Sequence, residues 1–549
     1  MARNPFNATG GLKPRRSVFD LSYRKNFTCD MGQLIPVMAD ETVPGDHFTI
    51  GSEVVVRFQP LVAPIMHEIT ATVHYFFVPY RILWDNWEEF ISQGQLGGSS
   101  LPIKIPRFNV TDAGNRSLGT LWDYFGMPIG DDAENTYQPL APIDMAWRAY
   151  NRIYNEYYRD QDLQAEVDEL NPFVLNRNWR KDYFTAARPF RQKGTAPALP
   201  VNVDISYNSV GELGINAPVG ILGSPQGLFQ NHLKLSASQT DANQTILFGQ
   251  NPVRAFDFVT APQGGLQQSV ANQNGNMVVN VGHIASQLGA SAKSTTFDVS
   301  DLRLAFQTQK WLERNARAGT RYTEFLRSHF GVAPSDSRLD RPEYIGGVKV
   351  PVHVSEVVQT SETTGNSPQA QMAGHGLAAD GSLAGKYFTP EFGIIMGILS
   401  VMPKPAYQNG MDRQWLRELP TDFYFPEFCR LSEQAIKQAE VYYGFGKYDD
   451  NAIFGFTGQY DEMRVKHDMV CSEMRKTSLT PEGVNLSYWN MARYFPAPPS
   501  LNSTFITCVP HKDIFAVQDV PGLIVNAYNR IRAIRPMPEI ADPGLVDHY

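Results

Sequence analysis

Five side chains able to carry or move protons fall within eighteen positions near the amino end. They are Asp30, Asp40, Glu41, Asp46 and His47, in the stretch DMGQLIPVMADETVPGDHFTI from 30 to 50. Carboxylates beside an imidazole are what general acid–base catalysis uses, and oxygen ligands of this kind also hold divalent cations. The same residues can serve structure. Pro36, Pro44 and Gly45 divide the stretch into strand, turn and strand. Asp40 and Asp46 then become turn residues whose carboxylates accept from nearby main-chain amides. The rest of the chain must show which use applies.

Its other chemical signals are incomplete. A metalloprotease helix needs His-Glu-x-x-His, but His67 and Glu68 are followed by Ala71 at the fifth position, in a segment with strand periodicity. The nearest approach to a phosphate loop, Gly381, Gly385 and Lys386, is one residue short and continues into Tyr387. No Gly-x-Ser-x-Gly elbow is present. His74 and His353 each stand alone on a polar strand face, the usual setting of an ordinary hydrogen-bonded histidine. The aromatic run HYFFVPYRILWDNWEEF (74–90) could stack bases or sugars, although aromatics at strand spacing more commonly build cores and interfaces. These residues lead to no catalytic residue, cofactor site or metal site. Paired carboxylates leave no fixed signature, however, so a missing motif does not by itself exclude an enzyme.

The elements that would position these residues are mainly strands. In 66–78, Ile69, Ala71, Val73, Tyr75 and Phe77 alternate with Glu68, Thr70, Thr72 and His74. Residues 47–58 predict a second strand with a bulge or bend at Gly51. Residues 348–358 predict a third, which Pro351 places at an edge or a bulge. The apolar run FGIIMGILSVM (392–402) reads as a strand buried on both faces, and 503–518 as a further strand. Because these segments lie at both ends of the chain, they predict one β-sandwich interrupted by insertions. Helices fall inside the insertions. The 142–160 helix has Trp147, Tyr150, Ile153, Tyr154 and Tyr157 on one face. The 300–319 helix has Ser300 as N-cap, Leu304, Phe306, Trp311 and Leu312 on its apolar side, and an end near Gly319. From 303 to 327 its polar side is basic.

Composition narrows the function classes. Charged residues make up 19% of the 549, below the usual quarter, and aromatics reach 12%. This suits a β-rich, loop-rich protein with much of its surface covered by partners. A net charge of −8 argues against a dedicated nucleic-acid-coating protein. The amino end differs: residues 1–29 carry Arg3, Lys13, Arg15, Arg16, Arg24 and Lys25 against Asp20 alone. This basic arm on an acidic body is either a phosphate-facing end or a solvated terminus. Four widely spaced cysteines, Cys29, Cys429, Cys471 and Cys508, form no Cys-x-x-Cys pair and are expected reduced and buried, in a chain made in a cytosol. No apolar run reaches a membrane-spanning length, and the amino end has no secretory pattern. Residues 201–300 hold only eight charged residues but twenty Asn or Gln. Such a stretch is too weakly patterned for its own core and suits an exposed elaboration. A smaller polar run at 359–376 resembles a surface loop.

Longer blocks carry a resemblance. NFTCDMGQLIPVMADETVPGDHF followed by HYFFVPYRILWDNWEEFI, then ERNARAGTRYTEFLRSHFGVAPSDSRLDRPEYIGG (313–347), are similar to the major capsid protein of gokushoviruses, small icosahedral single-stranded DNA phages of the Microviridae. RSVFDLSYRKNFT and WNMARYFPAPPSLNSTFITC (489–508) agree with it, so the likeness spans nearly the whole chain except 201–300. It implies a mainly β fold: a single eight-stranded antiparallel jelly-roll of discontinuous strands over 30–549, preceded by the basic arm of 1–29. Insertions would lie at about 80–200, at 201–300, at 300–345 and at 359–385, with 201–300 building a protrusion at each threefold axis that meets the host.

The resemblance further implies a T=1 icosahedral shell of sixty subunits around circular single-stranded DNA, assembled in the host bacterial cytoplasm. Implied partners are a small basic DNA-packaging protein, an internal scaffolding protein, a DNA pilot protein and a host surface receptor. In that setting Arg3, Lys13, Arg15, Arg16, Arg24 and Lys25 would face the nucleic acid. The acids of 30–47 and His47 would fix a corner against a neighbouring subunit, with a divalent cation between carboxylates as a variant. Two other classes remain open at this point. A β-sandwich enzyme acting on polysaccharide would show a cleft with two carboxylates at catalytic separation, and a carbohydrate-binding adhesin would remain a small oligomer.

Overall fold

The computed structural model describes residues 15–92, 103–129, 140–197, 205–206, 291–292, 299–358, 372–476 and 486–540. The expected protrusion, apart from 205–206, 291–292 and 299–300, and the 359–371 part of the expected loop lie outside them. The chain divides into two compact units, one made of Met1–Thr195 with Trp311–Tyr549 and the other of Ala196–Lys310. In the second unit, Ile205–Ser206 pairs antiparallel with Ser291–Ala292.

The first unit is built on one nine-stranded sheet. In chain order its strands are β1 (Ser17–Asp20), β2 (Tyr23–Cys29), β3 (Ile35–Thr42), β4 (His47–Phe58), β5 (Ile69–Pro79), β6 (Glu343–Val358), β7 (Met372–Phe388), β8 (Gly393–Pro403) and β9 (Leu523–Arg535). The spatial order is β1-β9-β4-β7-β6-β5-β8-β3, with β2 also paired to β9. Every pairing is antiparallel. Three pairings nest: β5 with β6, β4 with β7 outside it, and β3 with β8 outside that. β9 and β2, near one end of the order, also meet β3 at the other end. The Asn529 amide on β9 donates to the Val37 carbonyl on β3 at 2.9 Å, and the Tyr23 hydroxyl on β2 donates to Asp40 on β3 at 3.2 Å. The sheet therefore curls around a single core, in which Val37, Ile50, Val56, Tyr75, Phe77, Val350, Leu399, Val525 and Ile531 are buried together.

Each strand follows from its pattern. On β5, Ile69, Ala71, Val73, Tyr75 and Phe77 enter that core. Gly51 stands where the β4–β7 register shifts, as a glycine at a bulge does. Pro351 is paired to Thr70 of β5, whereas pairing to β7 starts only at His353. Its missing N–H thus falls where the strand changes partner. β8 is buried along its whole length. Ile395, Leu399 and Val401 face the sheet core, and Ile394, Met396 and Ile398 face a second core, largely aromatic. Trp87, Phe108, Trp122 and Trp147 of the 80–175 insertion build that second core over the outer face of β5 and β8, with Phe108 and Trp147 stacked at 4.3 Å. Trp147 lies on α1 (Met145–Ile153), which continues as one π-helical turn, Tyr154–Tyr158. Buried Asn151 and Asn155 tie these turns to the main chain of 167–171.

Three expectations need correction. Residues 503–518 are not a strand. Asn502 caps a short helix, Ser503–Ile506, by accepting from Phe505 N at 2.9 Å, and Pro510 cannot donate to a ladder. Ser300 is not the N-cap, because the long helix α2 (Val299–Ala318) already includes it. That helix ends, as expected, at Gly319 with φ 104°. The cysteines are free, and Cys29 and Cys508 are buried, but Cys429 is half-buried and Cys471 exposed, both in the loop-rich region between β8 and β9. The sequence reading passed over four strands, β1, β2, β7 and β9: β7 takes up the part of the expected 359–385 loop from Met372 onward, and on β9 Leu523, Val525, Ala527, Ile531 and Ala533 are buried in strict alternation.

Candidate assembly surface and nucleic-acid interface

Three of the four acids of 30–47, Asp30, Asp40 and Asp46, are spent on the chain's own donors. Val43-Pro44-Gly45-Asp46 forms a turn in which Asp46 N donates to Val43 O at 3.0 Å and Gly45 takes φ 93°, the positive value that position requires. The Asp46 carboxylate is fully buried. It accepts from Val43 N at 3.0 Å and pairs with Arg535 at 3.2 Å, while burial pushes its carboxyl above the ordinary range. Thr389 closes the corner with a hydroxyl donated to Val43 O at 2.8 Å. Asp30 accepts from Gly522 N at 3.0 Å and pairs with Lys512 at 2.9 Å. Asp40 accepts from Tyr23. Glu41 and His47 are exposed, and the His47 ring lies 4.8 Å from that of Phe388. Among the described residues no three His, Cys, Asp or Glu side chains gather as a metal site would need. The corner holds β3, β4, β7 and β9 in register.

The two solitary histidines are placed just as plainly. His353 is exposed on β6. His74 faces the insertion, where its Nδ1 is 2.9 Å from the Tyr158 hydroxyl and its ring stacks on that tyrosine. Burial, with the Arg177 charge adding to it, holds His74 down to about 4. It is therefore neutral near pH 7, and none of its contacts is a carboxylate that could orient it as a base.

Of the six amino-terminal bases, Arg3 and Lys13 lie outside the described residues. Arg15 and Arg16 are exposed, and Arg16 donates to Gly45 O at 3.0 Å. From Ser17 onward the expected arm is part of the sheet. Arg24 projects from β2 and lies over the Tyr528 ring at 5.3 Å. Lys25, on the opposite side of the strand, turns inward. Its ammonium donates to Pro36 O at 2.7 Å and to Tyr124 O, and burial lowers it to about 8. The basic residues of 303–327 are also engaged within the chain where they can be followed: Arg317 on α2 donates to Ser432 O at 3.1 Å, and Arg321, beyond the end of α2, to Arg159 O at 2.6 Å.

A surface the sequence reading did not single out lies between β8 and β9. Trp415, Leu419, Phe423, Tyr424, Phe425 and Leu431 are all exposed within one short segment, and Phe445 beyond it is 87% exposed. A monomer gains nothing by showing water this much aromatic surface; such patches mark contacts with partners. The density of aromatics among prolines in LPTDFYFPEF was the available signal.

Comparison with known proteins agrees with this geometry. The family model described as capsid protein (F protein) matches residues 10–545. Capsid protein VP1 of Chlamydia phage 1 is 32% identical, with 99% of this chain and 98% of that protein aligned. Capsid protein VP1 of Bdellovibrio phage phiMH2K is 30% identical over 97% and 96%. Capsid protein VP1 of Spiroplasma virus 4 is 29% identical over 96% and 95%. With its match running nearly from end to end, and a sheet, insertions and exposed aromatics that suit a shell subunit, the chain belongs to the phage capsid protein (F protein) family.

Proposed function

We propose that the chain is the major capsid subunit of a gokushovirus-type phage and closes, in sixty copies, a T=1 icosahedral shell around circular single-stranded DNA. The observation that carries this reading is the exposed aromatic segment 415–431, apolar surface that the subunit leaves unburied. Repeated by symmetry, modest contacts of this kind sum to a closed shell. The nested pairings β5·β6, β4·β7 and β3·β8, curled around one core, support a jelly-roll, with β1, β2 and β9 extending it. Arg3, Lys13, Arg15, Arg16 and Arg24 contact phosphates in a sequence-independent, salt-sensitive way. The low-charge 201–300 segment forms the threefold protrusion and contributes to host attachment. Scaffolding, DNA-packaging and pilot proteins join during assembly in the bacterial cytoplasm. The protein performs no chemical conversion.

The test is expression with its scaffolding partner, followed by electron microscopy and mass measurement. Closed particles of sixty subunits support the proposal. A protein that stays monomeric in every condition and turns over a glycan would end it.

A further inference from the structure

A cleft of about 500 Å³ opens on the outer side of β5, away from the sheet core. Its walls come from β5, the π turn and residues 159–162 after it, the 177–181 segment, Arg188, residues 320–324 and Tyr344 at the start of β6. Six of its lining residues are cations and only three are carboxylates, Asp160, Asp162 and Glu324. Those three are already engaged. Asp160 and Asp162 hold Lys181 and Arg188, with Arg188 and Asp162 at 2.7 Å, and Glu324 holds Arg321 at 3.4 Å. Arg159 and Arg177 have no carboxylate among the described residues. The Arg177 guanidinium donates to the hydroxyls of Thr72 and Ser400, both at 2.8 Å, with the Tyr158 ring 5.6 Å from it. Arg159 donates to Gln164 O at 3.2 Å, and its Nε is buried with no hydrogen-bond partner. Arg180, half-exposed at the rim, pairs with Glu68 at 3.7 Å.

A guanidinium drawn out of water without a counter-charge is costly, and the arrangement is relieved by an anion entering from outside. Beside these arginines stands an aromatic platform. The Tyr344 ring is buttressed by His74 at 5.9 Å and Phe76 at 5.5 Å, yet 49% of the residue remains exposed. His74 is neutral, so it does not add to the positive charge. A bare phosphate would use the arginines and ignore the ring, and an acidic peptide would have no use for a flat π-face. A nucleotide uses both.

We propose that this cleft binds one nucleotide unit of a single-stranded nucleic acid, its phosphate on Arg177, Arg159 and Arg180 and its base stacked on Tyr344. The inference deepens the genome-enclosing reading and names a place for the strand apart from the amino-terminal arm. The arginines act as fixed donors to phosphate oxygens, and the stack is tolerant of base identity. Double-stranded nucleic acid is excluded, because a paired base cannot turn its face to Tyr344.

The experiment uses the full chain with Arg3, Lys13, Arg15, Arg16 and Arg24 changed to Gln, so that the arm is silent. Calorimetry compares three probes: an oligothymidylate hexamer, an abasic hexamer with the same phosphates, and inorganic phosphate. Tyr344→Ala is expected to weaken the thymidylate hexamer roughly 5- to 100-fold and to leave the abasic hexamer unchanged. Arg177→Met and the exposed Arg180→Gln are expected to weaken both hexamers and to flatten the salt dependence by about one phosphate each. Melting curves show which variants are folded, and Arg180→Gln keeps the test valid if Arg177→Met is not. Equal hexamer affinity in wild type and Tyr344→Ala overturns the proposal, as does preferential displacement of the hexamer by polyglutamate. Particle formation is scored separately. Closed shells with indifferent cleft variants would sink this inference alone, whereas cleft-dependent binding without shells would sink the capsid reading and leave the cleft standing.

Discussion

Lys25 and Arg24 are neighbours of equal formal charge, and the strand sends them opposite ways. Lys25→Met removes two hydrogen bonds to main-chain carbonyls and is expected to lower subunit stability by about 1–2 kcal/mol while leaving DNA retained per particle unchanged. Arg15, Arg16 and Arg24 changed together to Gln are expected to do the reverse, which nuclease-protected DNA per particle will show. Glu433 supplies a pH dependence. It is buried, one carboxylate oxygen has no hydrogen-bond partner, and burial lifts its carboxyl from 4.5 to about 7. Between those values the folded chain holds a proton that the unfolded chain has released, so stability falls as pH rises. The contribution is fully present below pH 4.5 and lost through about pH 7. Glu433→Gln is therefore expected to stabilise the subunit by about 1 kcal/mol at pH 8, after solvent screening, and to change little at pH 4.5, read from melting curves at the two values.

At the scale of elements, the aromatic insertion is what allows β8 to be apolar on both sides. Trp147→Ala is expected to cost about 3–5 kcal/mol and to expose the 80–175 insertion to limited proteolysis. Where a strand's pattern was carried by side chains alone, it was legible. β5 alternates and β8 is uniformly apolar, and both stand where they were expected. The 503–518 segment misled because Thr, Ile, Val and Phe favour strands, whereas a local Asn502 cap and the Pro510 break decide the outcome. β9 was missed although its alternation is as clean as that of β5, because its outward residues include Ile524 and Tyr528, which blur the polar side. The candidate site was less legible. Asp46 is read correctly as a turn acid, whereas Asp40 stands within β3 and accepts from the Tyr23 hydroxyl instead of a turn amide, and the partners Lys512, Tyr23 and Arg535 of the three aspartates lie far away in sequence or on another strand. No spacing rule announces Arg535, and none could have sent Lys25 inward.

For the whole molecule, the predicted contacts between copies lie on surface that the fold does not need. Phe423→Ser with Phe425→Ser is expected to leave the subunit's melting temperature within about 0.5 kcal/mol of wild type in stability terms. The same pair is expected to abolish closed particles in electron micrographs. Survival of the shell would move the principal contact elsewhere. One further consequence follows from the position of β9. It pairs with β1, β2 and β4, and Asn526 reaches Asn26 across 500 positions of chain. The first strands to leave the ribosome therefore stay without their partner until residue 535 has followed them out. A message cut short before codon 523 leaves the edges of β1, β2 and β4 without their partner, open to proteolysis, and so only chains translated through β9 can enter the shell-building pool.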